Sequence, residues 1–205
     1  MASSTYAVGS LDALRTLLRD GPLSLGDGAH VVIVPTAAAF VGLTEAALLT
    51  GAAFDEFDVR VEALMVSDRA ATSNPYWTER LTNADLVVLC DGSPLHARAV
   101  WRAGAFGDAI NAATELVAIG AVASVLGEVM IDPRGGAPTT GLGYRRGAAL
   151  SLPASDEQMA RTRTLLRDVA LVAIGPSGVV HHDGERWRVL CGDVVVTRGP
   201  DVIEL

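Results

Sequence analysis

The sequence predicts a three-layer α/β protein with a mostly parallel central sheet, helices on both faces, and antiparallel strands near the C-terminus. Three short apolar runs, His30–Val34, Leu86–Cys90 and Leu116–Ile119, alternate with helical segments. Continuous apolar runs of this length are typical of strands buried on both faces, and strands that alternate with helices form parallel sheets. Half of the residues are hydrophobic and only 5% are aromatic, so we expect a core of Ala, Val and Leu.

The earlier elements follow from periodicity and from end signals. Thr5–Val8 is predicted to be a short strand, and Ser10 caps a helix that places four leucines on one face. Further helices are predicted around Thr44–Thr50 and over Ser73–Leu81, Leu95–Arg102 and Phe106–Thr114, with another strand over Val59–Val66. In such a sheet the chemistry lies in loops at the carboxyl ends of the strands, here the loops after Val34, Cys90 and Ile119.

The C-terminal part changes character after a Gly-rich loop, Asp132–Gly143. Ala148–Leu152 is a predicted strand, and Ser155 caps a helix that runs to about Asp168. Four short strands separated by turns follow, over Leu171–Ile174, Gly178–His181, Arg186–Leu190 and Val194–Thr197. We expect them to form a small antiparallel extension within one domain that spans residues 1–205.

Composition excludes several classes of partner. The net charge of −8 argues against nucleic acid, because phosphate binding needs a basic face. No apolar run approaches the ~18 residues of a membrane span, and the N-terminus lacks a signal-peptide pattern, so we expect a cytoplasmic protein without membrane contact. Cys90 and Cys191 follow apolar runs and are interpreted as buried thiols. No motif indicates a cofactor or a metal ion, since His181 and His182 on a strand point to opposite faces.

Four patches in the same order resemble the cyanophycinase-like S51 peptidases. They are Val34–Ala39 (VPTAAA), Asp91–His96 (DGSPLH), Leu126–Met130 with the glycines that follow it as far as Gly143, and Trp187–Leu190. The resemblance covers about residue 30 to the end. It implies the class I glutamine amidotransferase-like fold and a serine peptidase ancestry. By analogy with the family, it also allows a homodimer.

The segment that carries the nucleophile in this family is degenerate here. The family reads roughly G-x-S-A-G-A after the central strand, with the serine on a tight turn beside backbone N–H donors. Aligned on Leu126-Gly127, the nucleophile position falls at Gly120; aligned on Gly120 as the leading glycine, it falls at Val122. The elbow Gly120, Ala121, Val122 therefore has no nucleophile.

The family histidine is also missing. It follows a late strand, a place filled here by Ser151–Asp156, and none of the four histidines lies there. Without a base, even a well-placed serine is a poor nucleophile at neutral pH. Two weak substitutes remain. Ser124 lies just beyond the elbow but is expected to pack against its own helix, and His96 follows the Gly92-Ser93-Pro94 turn.

The residues that remain around the former active site define a candidate ligand pocket. Asp91 replaces a family glycine, and its carboxylate is expected to repel the developing oxyanion. The predicted ligand-binding residues flank the loops after the central strands: Asp91, Gly92, Ser93, Asp132, Arg134, Gly135 and Gly136. Arg134 is interpreted either as a carboxylate-binding group or as ordinary loop charge. Gly135 and Gly136 are also candidates for positive φ angles.

Two functions are compatible with these observations. The first is a catalytically inactive S51 relative that binds a small peptide, a metabolite or a protein partner through the degenerate pocket. The alternative is a hydrolase of acidic or β-aspartyl peptides with rebuilt catalysis, which would use Ser124 or Cys90 together with His96. The second function requires these side chains to lie within hydrogen-bond reach, at about 2.6–3.2 Å.

Overall fold

Thirteen strands and six helices make up the parts of the chain that the computed structural model describes, residues 3–166, 168–199 and 201–204. The strands are β1 Ser4–Val8, β2 Ala29–Val34, β3 Val59–Ala63, β4 Leu86–Leu89, β5 Glu115–Ile119, β6 Val129–Ile131, β7 Pro138–Thr140, β8 Ala148–Ser151, β9 Ala170–Ile174, β10 Val179–His182, β11 Trp187–Cys191, β12 Val194–Arg198 and β13 Asp201–Val202. The helices are α1 Leu11–Asp20, α2 Leu43–Gly51, α3 Pro75–Thr82, α4 Pro94–Trp101, α5 Ala105–Ala112 and α6 Asp156–Leu165.

The main sheet has seven strands in the order β11-β10-β1-β5-β4-β2-β3. The five strands from β1 to β3 in this order are parallel, and β10 and β11 extend the sheet in antiparallel pairing beyond β1. Strands β2 and β4 are buried at every residue, as their continuous apolar sequences predict. The carboxyl ends of β4 and β5 lie side by side, so the turns after them meet at one edge of the sheet.

Two apolar layers cover the two faces of this sheet. Alternate residues of β2 divide between them: Val31 and Ile33 pack with α1 and α2, whereas Val32 and Val34 pack with α3, α4 and α5. This arrangement is the predicted three-layer fold with helices on both faces.

Polar caps determine where four helices begin. Ser10, Asn74, Ser93 and Ser155 each accept a hydrogen bond from a backbone N–H in the first turn of the following helix. Pro75 and Pro94 occupy the first helical position, where a missing N–H costs nothing. These caps place α4 directly after the turn that follows β4.

The C-terminal strands depart from the expected single extension. Strands β10 and β11 complete the main sheet, whereas β9 and β12 join a second sheet in the order β13-β12-β9-β8. In that sheet β9 pairs parallel to β8 and antiparallel to β12. The predicted antiparallel pairing is confirmed for β10 with β11 and for β9 with β12, but these strands are divided between two sheets, because short strands of similar pattern carry no sequence signal for their partner.

Other differences concern element ends. Strand β3 ends at Ala63 rather than Val66, and α6 ends at Leu165 rather than near Asp168, while Arg167 lies outside the described residues. Strands β6 and β7 form a separate hairpin that was not predicted. Within the described residues no helix is long and apolar enough to cross a membrane.

Candidate functional site

The turn after β5, where the resemblance predicts the nucleophile elbow, carries glycine. Gly120 has a φ of +65°, and the chain then enters a 3₁₀ helix over Gly120–Leu126. A Cβ atom added at Gly120 would lie 2.4 Å from Oδ1 of Asp91, a distance that no real side chain tolerates. Gly120 and Val122, the two positions predicted for the nucleophile, both lie in this segment. Val122 is fully buried inside the following turn.

The Asp91 side chain fills the space beside Gly120 and accepts hydrogen bonds from two backbone N–H groups. Its Oδ1 atom accepts a hydrogen bond from the Gly92 N–H at 2.7 Å and another from the Ala121 N–H at 2.8 Å. Two converging backbone N–H groups, one of them from the residue after the nucleophile position, are the arrangement that stabilises an oxyanion in acyl transfer. In this chain an internal carboxylate already uses both donors.

This geometry changes the physical reason for regarding Asp91 as unfavourable to catalysis. The sequence suggested repulsion of a substrate oxyanion. In the structure the Asp91 carboxylate accepts hydrogen bonds from two backbone N–H groups, while the residue is exposed to solvent. A ligand oxygen cannot use these two donors while the carboxylate holds them.

Gly92 and Ser93 have structural roles in the turn after β4. Gly92 has a φ of +150°, and a Cβ atom there would lie 2.3 Å from the carbonyl oxygen of Ala37. Only glycine therefore allows this turn to pack against the loop after β2. The Ser93 N–H donates to the same Ala37 oxygen at 2.7 Å, and the Ser93 hydroxyl caps α4.

Ser124 has the geometry of a packing residue. Its hydroxyl donates to the carbonyl oxygen of Ala121 at 2.9 Å, and only 5% of the residue is exposed. This back-bond to the preceding turn is typical of serine inside a helix. Within the described residues no histidine hydrogen-bonds to Ser124.

His96 and Cys90 are held in separate environments. The His96 Nε2 atom hydrogen-bonds to the Ser67 carbonyl oxygen at 2.7 Å, and its ring contacts Phe40. Cys90 is buried on the face covered by α1 and α2, where its sulfur lies 3.3 Å from the Thr50 hydroxyl. Burial raises the pKa of the Cys90 thiol to about 11. Among the described residues no hydrogen bond joins Ser124 or Cys90 to His96, the contact that a rebuilt hydrolase requires.

A cavity of about 120 Å³ lies beside the turn at Gly120. Its lining comes from four segments: Pro94; Ala121 and Ser124; Ile131 and Pro133; and Ser151–Ala154 with Gln158, Met159 and Thr162 of α6. The lining contains no histidine, cysteine or carboxylate. Within the described residues the buried Ser151 hydroxyl has no hydrogen-bond partner.

Within the segment that the resemblance predicts for the family histidine, Ser151–Ala154 line this cavity. Three α6 residues in the lining, Gln158, Met159 and Thr162, were not among the predicted site residues. Their helical spacing was available in the sequence, because positions three and four apart share one helix face. The direction of that face depends on how α6 packs, which the sequence does not specify.

Asp132 and Arg134 are the sequence neighbours of Pro133, and neither of them lines the cavity. The Arg134 guanidinium donates to the Asp132 carboxylate at 3.2 Å, and the Arg134 side chain is 76% exposed. Hydrogen bonds from Arg134 hold the pKa of Asp132 below its usual value. A carboxylate ligand at Arg134 would have to compete with Asp132, so its binding role stays a prediction.

The two glycines of this loop differ. Gly136 has a φ of +68°, and a Cβ atom there would lie 2.6 Å from the Thr162 hydroxyl. Gly135 has no positive φ, and a Cβ atom there would meet no atom within 4 Å. The expectation of a positive φ therefore holds for Gly136 and is wrong for Gly135.

No group suited to a metal ion is found in the described parts of the chain, where three or more His, Cys, Asp or Glu side chains nowhere cluster. His181 stacks on Tyr6, with ring centroids 4.6 Å apart, and His182 contacts Trp187. The two histidines have different neighbours on the two faces of β10, as strand alternation predicts.

Two solved structures are similar to this chain. A peptidase from an acI-B1 actinobacterium aligns with a TM-score of 0.75 at 20% identity, covering 100% of this chain and 98% of that one. A putative peptidase E protein from Listeria monocytogenes EGD-e aligns with a TM-score of 0.67 at 14% identity, covering 96% and 98%. No family model and no curated protein matches the chain. These likenesses establish the fold alone: the chain shares with these two proteins a mixed α/β fold around a large, mostly parallel central sheet.

Proposed function

We propose that this chain is a non-hydrolytic protein with a peptidase-type fold, which binds a small peptide or metabolite in the cavity beside Gly120. The observation that carries the proposal is the Asp91 carboxylate, which accepts hydrogen bonds from both N–H donors of the turn. A peptide carbonyl cannot use these donors while the carboxylate holds them. The cavity next to this turn is the space that a ligand would enter.

Acyl transfer needs a nucleophile, a base and a site for the oxyanion, and each is affected here. Gly120 has no side chain, the cavity lining contains no histidine, and Asp91 fills the anion site. The three losses come from different segments of the chain. A single compensating substitution therefore would not restore the chemistry.

The lining indicates the chemical class of the ligand. A volume of about 120 Å³ matches a short apolar side chain, since a water molecule takes about 30 Å³. Pro94, Ile131 and Met159 supply apolar contact, and Ser151 is a polar residue of the same lining. A peptide or metabolite with a small aliphatic group and an adjacent amide or hydroxyl meets both requirements.

The alternative hydrolase is the less well supported function. It needs Ser124 or Cys90 beside His96, but the Ser124 hydroxyl donates to Ala121 and the His96 ring bonds to Ser67. A thiol with a pKa of about 11 supplies almost no thiolate at neutral pH. A rebuilt site of this kind would require both turns to rearrange.

Activity and binding assays on the full-length protein test the proposal together. We expect no hydrolysis of aspartyl or β-aspartyl dipeptides above the uncatalysed rate, in the wild type or in Ser124→Ala. We also expect dipeptides of Ala, Val and Pro to raise the melting temperature, because a ligand that binds only the folded state stabilises it. Hydrolysis that one of Ser124→Ala, Cys90→Ala or His96→Ala abolishes would favour the alternative.

Two matched variants locate the binding. Ala154 is exposed at the cavity, so Ala154→Trp should fill the opening and abolish the ligand-induced shift in melting temperature. Glu157 is exposed near the start of α6 and does not line the cavity, so Glu157→Trp should leave the shift in melting temperature unchanged. A shift that survives in Ala154→Trp would place the binding elsewhere and contradict the proposal.

A further inference from the structure

Strand β3 forms an open edge of the main sheet. It pairs only with β2 among the described strands and stands last in the strand order. The N–H of Leu64, directly after β3, donates to Ile33 of β2. Because backbone groups alternate along a strand, the N–H and C=O groups of Val61 and Ala63 point away from β2. An open edge of this kind can pair with another strand.

The sequence of β3, Val-Arg-Val-Glu-Ala, is complementary to itself in antiparallel pairing. If two copies meet with Val61 opposite Val61, then Arg60 of each copy lies opposite Glu62 of the other. Val61 becomes a hydrogen-bonded pair on the two-fold axis, because its backbone groups point outward. Opposite charges directly across two strands are favourable.

The two charged side chains of this edge differ in their present contacts. Glu62 faces α3, where it accepts hydrogen bonds from Arg80 and Tyr76, and its Oε2 atom also lies 3.2 Å from Nε2 of His30, so Arg60 of a second copy would join partners that Glu62 already has. Arg60 lies on the same face of β3 and is exposed, and within the described residues its side chain makes no hydrogen bond or ion pair. Arg60, which has no partner among the described residues, would therefore lie opposite Glu62 of a second copy.

The other face of β3 is apolar and also exposed. A groove of about 740 Å³ runs between α2 and β3 and is lined by Leu48, Val61 and Met65. Leu48 is 70% exposed and Val61 is 40% exposed, so this face leaves apolar area in contact with water. A two-fold axis at Val61 would bring α2 of both copies to the same side of the joined sheet and cover the groove.

The opposite edge of the main sheet lacks this complementarity. Strand β11 is the outermost strand at the other end of the main sheet. A two-fold axis at its central Val189 would place Arg188 of one copy opposite Leu190 of the other. Antiparallel self-pairing therefore places opposite charges across from each other at the β3 edge, but not at the β11 edge.

We propose that two copies of this chain associate through antiparallel pairing of β3, with Arg60 of each copy paired with Glu62 of the other. The main sheets then continue across the two-fold axis, and the apolar groove beside α2 becomes part of the interface. The proposal concerns the sheet edge and does not depend on the ligand cavity.

Light scattering and sedimentation of the full-length protein test this pairing. We expect the wild type to have twice the mass of one chain. Val61→Pro should be monomeric, because proline removes the N–H that the two-fold pair requires while an edge position facing solvent tolerates it. Arg60→Glu places like charges opposite each other, and we expect its dissociation constant to rise about tenfold or more.

Arg161→Glu is the matched control, since Arg161 is exposed on α6 and the same charge change occurs far from β3. It should remain dimeric, and circular dichroism should show that all variants fold. A monomeric wild type would overturn the proposal. A dimer that persists in both Val61→Pro and Arg60→Glu would also overturn it, because a different surface would then join the copies.

Discussion

At the scale of single residues, Asp91 and Gly120 act as a pair. The carboxylate of Asp91 lies where a side chain at position 120 would project, so Asp91 in this position requires glycine at 120. The same carboxylate satisfies the N–H groups of Gly92 and Ala121, which would otherwise face solvent. Under the proposed function, the absence of a side chain at 120 and the occupation of these donors are therefore one structural change.

The two cysteines should differ sharply in reactivity. Because burial raises the pKa of the Cys90 thiol to about 11, it stays protonated at lower pH. About one molecule in a thousand carries the thiolate at about pH 8. Cys191 is exposed. We expect an aromatic disulfide reagent to titrate one thiol in the folded protein and two in denaturant.

Cys191→Ser provides the control for this measurement. It should show no rapidly reacting thiol when folded, and reaction at Cys90 should accelerate only as the pH approaches the raised pKa. Rapid labelling of Cys90 in folded Cys191→Ser near neutral pH would contradict the buried environment. It would also reopen the question of a cysteine nucleophile.

Some of the contacts between single residues could be predicted from the sequence. Others could not, because they join residues that are distant in the chain. Alignment on Leu126-Gly127 put the nucleophile position at Gly120, where the structure has the positive φ. The bond from the Ala121 N–H to Asp91 joins residues thirty positions apart, and it depends on how the two turns meet. By contrast, the Asp132–Arg134 contact is local, so the short spacing in Asp-Pro-Arg could have indicated it.

At the scale of elements, glycines control how closely the turns approach each other. A Cβ atom at Gly92 would lie 2.3 Å from the Ala37 oxygen, and its φ is positive. We expect Gly92→Ala to lower the free energy of unfolding by about 2–4 kcal/mol, because strain and overpacking combine. Urea denaturation measures this loss.

Gly135→Ala is the matched comparison for this change. Gly135 has no positive φ and open space around its Cα atom, so we expect the free energy of unfolding to change by about 0.5 kcal/mol or less. Similar losses in both variants would show that the close approach at Gly92 does not control stability. The comparison thus separates a steric requirement from the general cost of replacing glycine.

Element prediction from sequence worked where the pattern is strong. The continuous apolar runs of β2, β4 and β5 and the caps at Ser10 and Ser155 indicated these elements within a few residues. Partner choice among the C-terminal strands was not predictable. Val179–His182 and Val194–Arg198 have comparable lengths and apolar content, yet they join different sheets, because pairing depends on contacts distant in sequence.

At the scale of the whole molecule, the two larger sheets share one apolar core. Val32 and Leu116 of the main sheet belong to the same cluster of buried residues as Leu150, Val172 and Val196 of the second sheet. The chain also passes from β9 in the second sheet to β10 and β11 in the main sheet, and then returns with β12. Neither sheet can therefore be completed without the other.

We accordingly expect the chain to unfold as one cooperative domain, although it contains separate sheets. Far-UV circular dichroism and tryptophan fluorescence should give the same midpoint in urea, as two-state unfolding requires. Native-state hydrogen exchange should assign the same highest free energy of opening to amides of β4 and of β12. If β8, β9 and β12 exchanged through a separate opening of lower free energy, the second sheet would be an independent unit, and the shared core would not couple it to the site at Gly120.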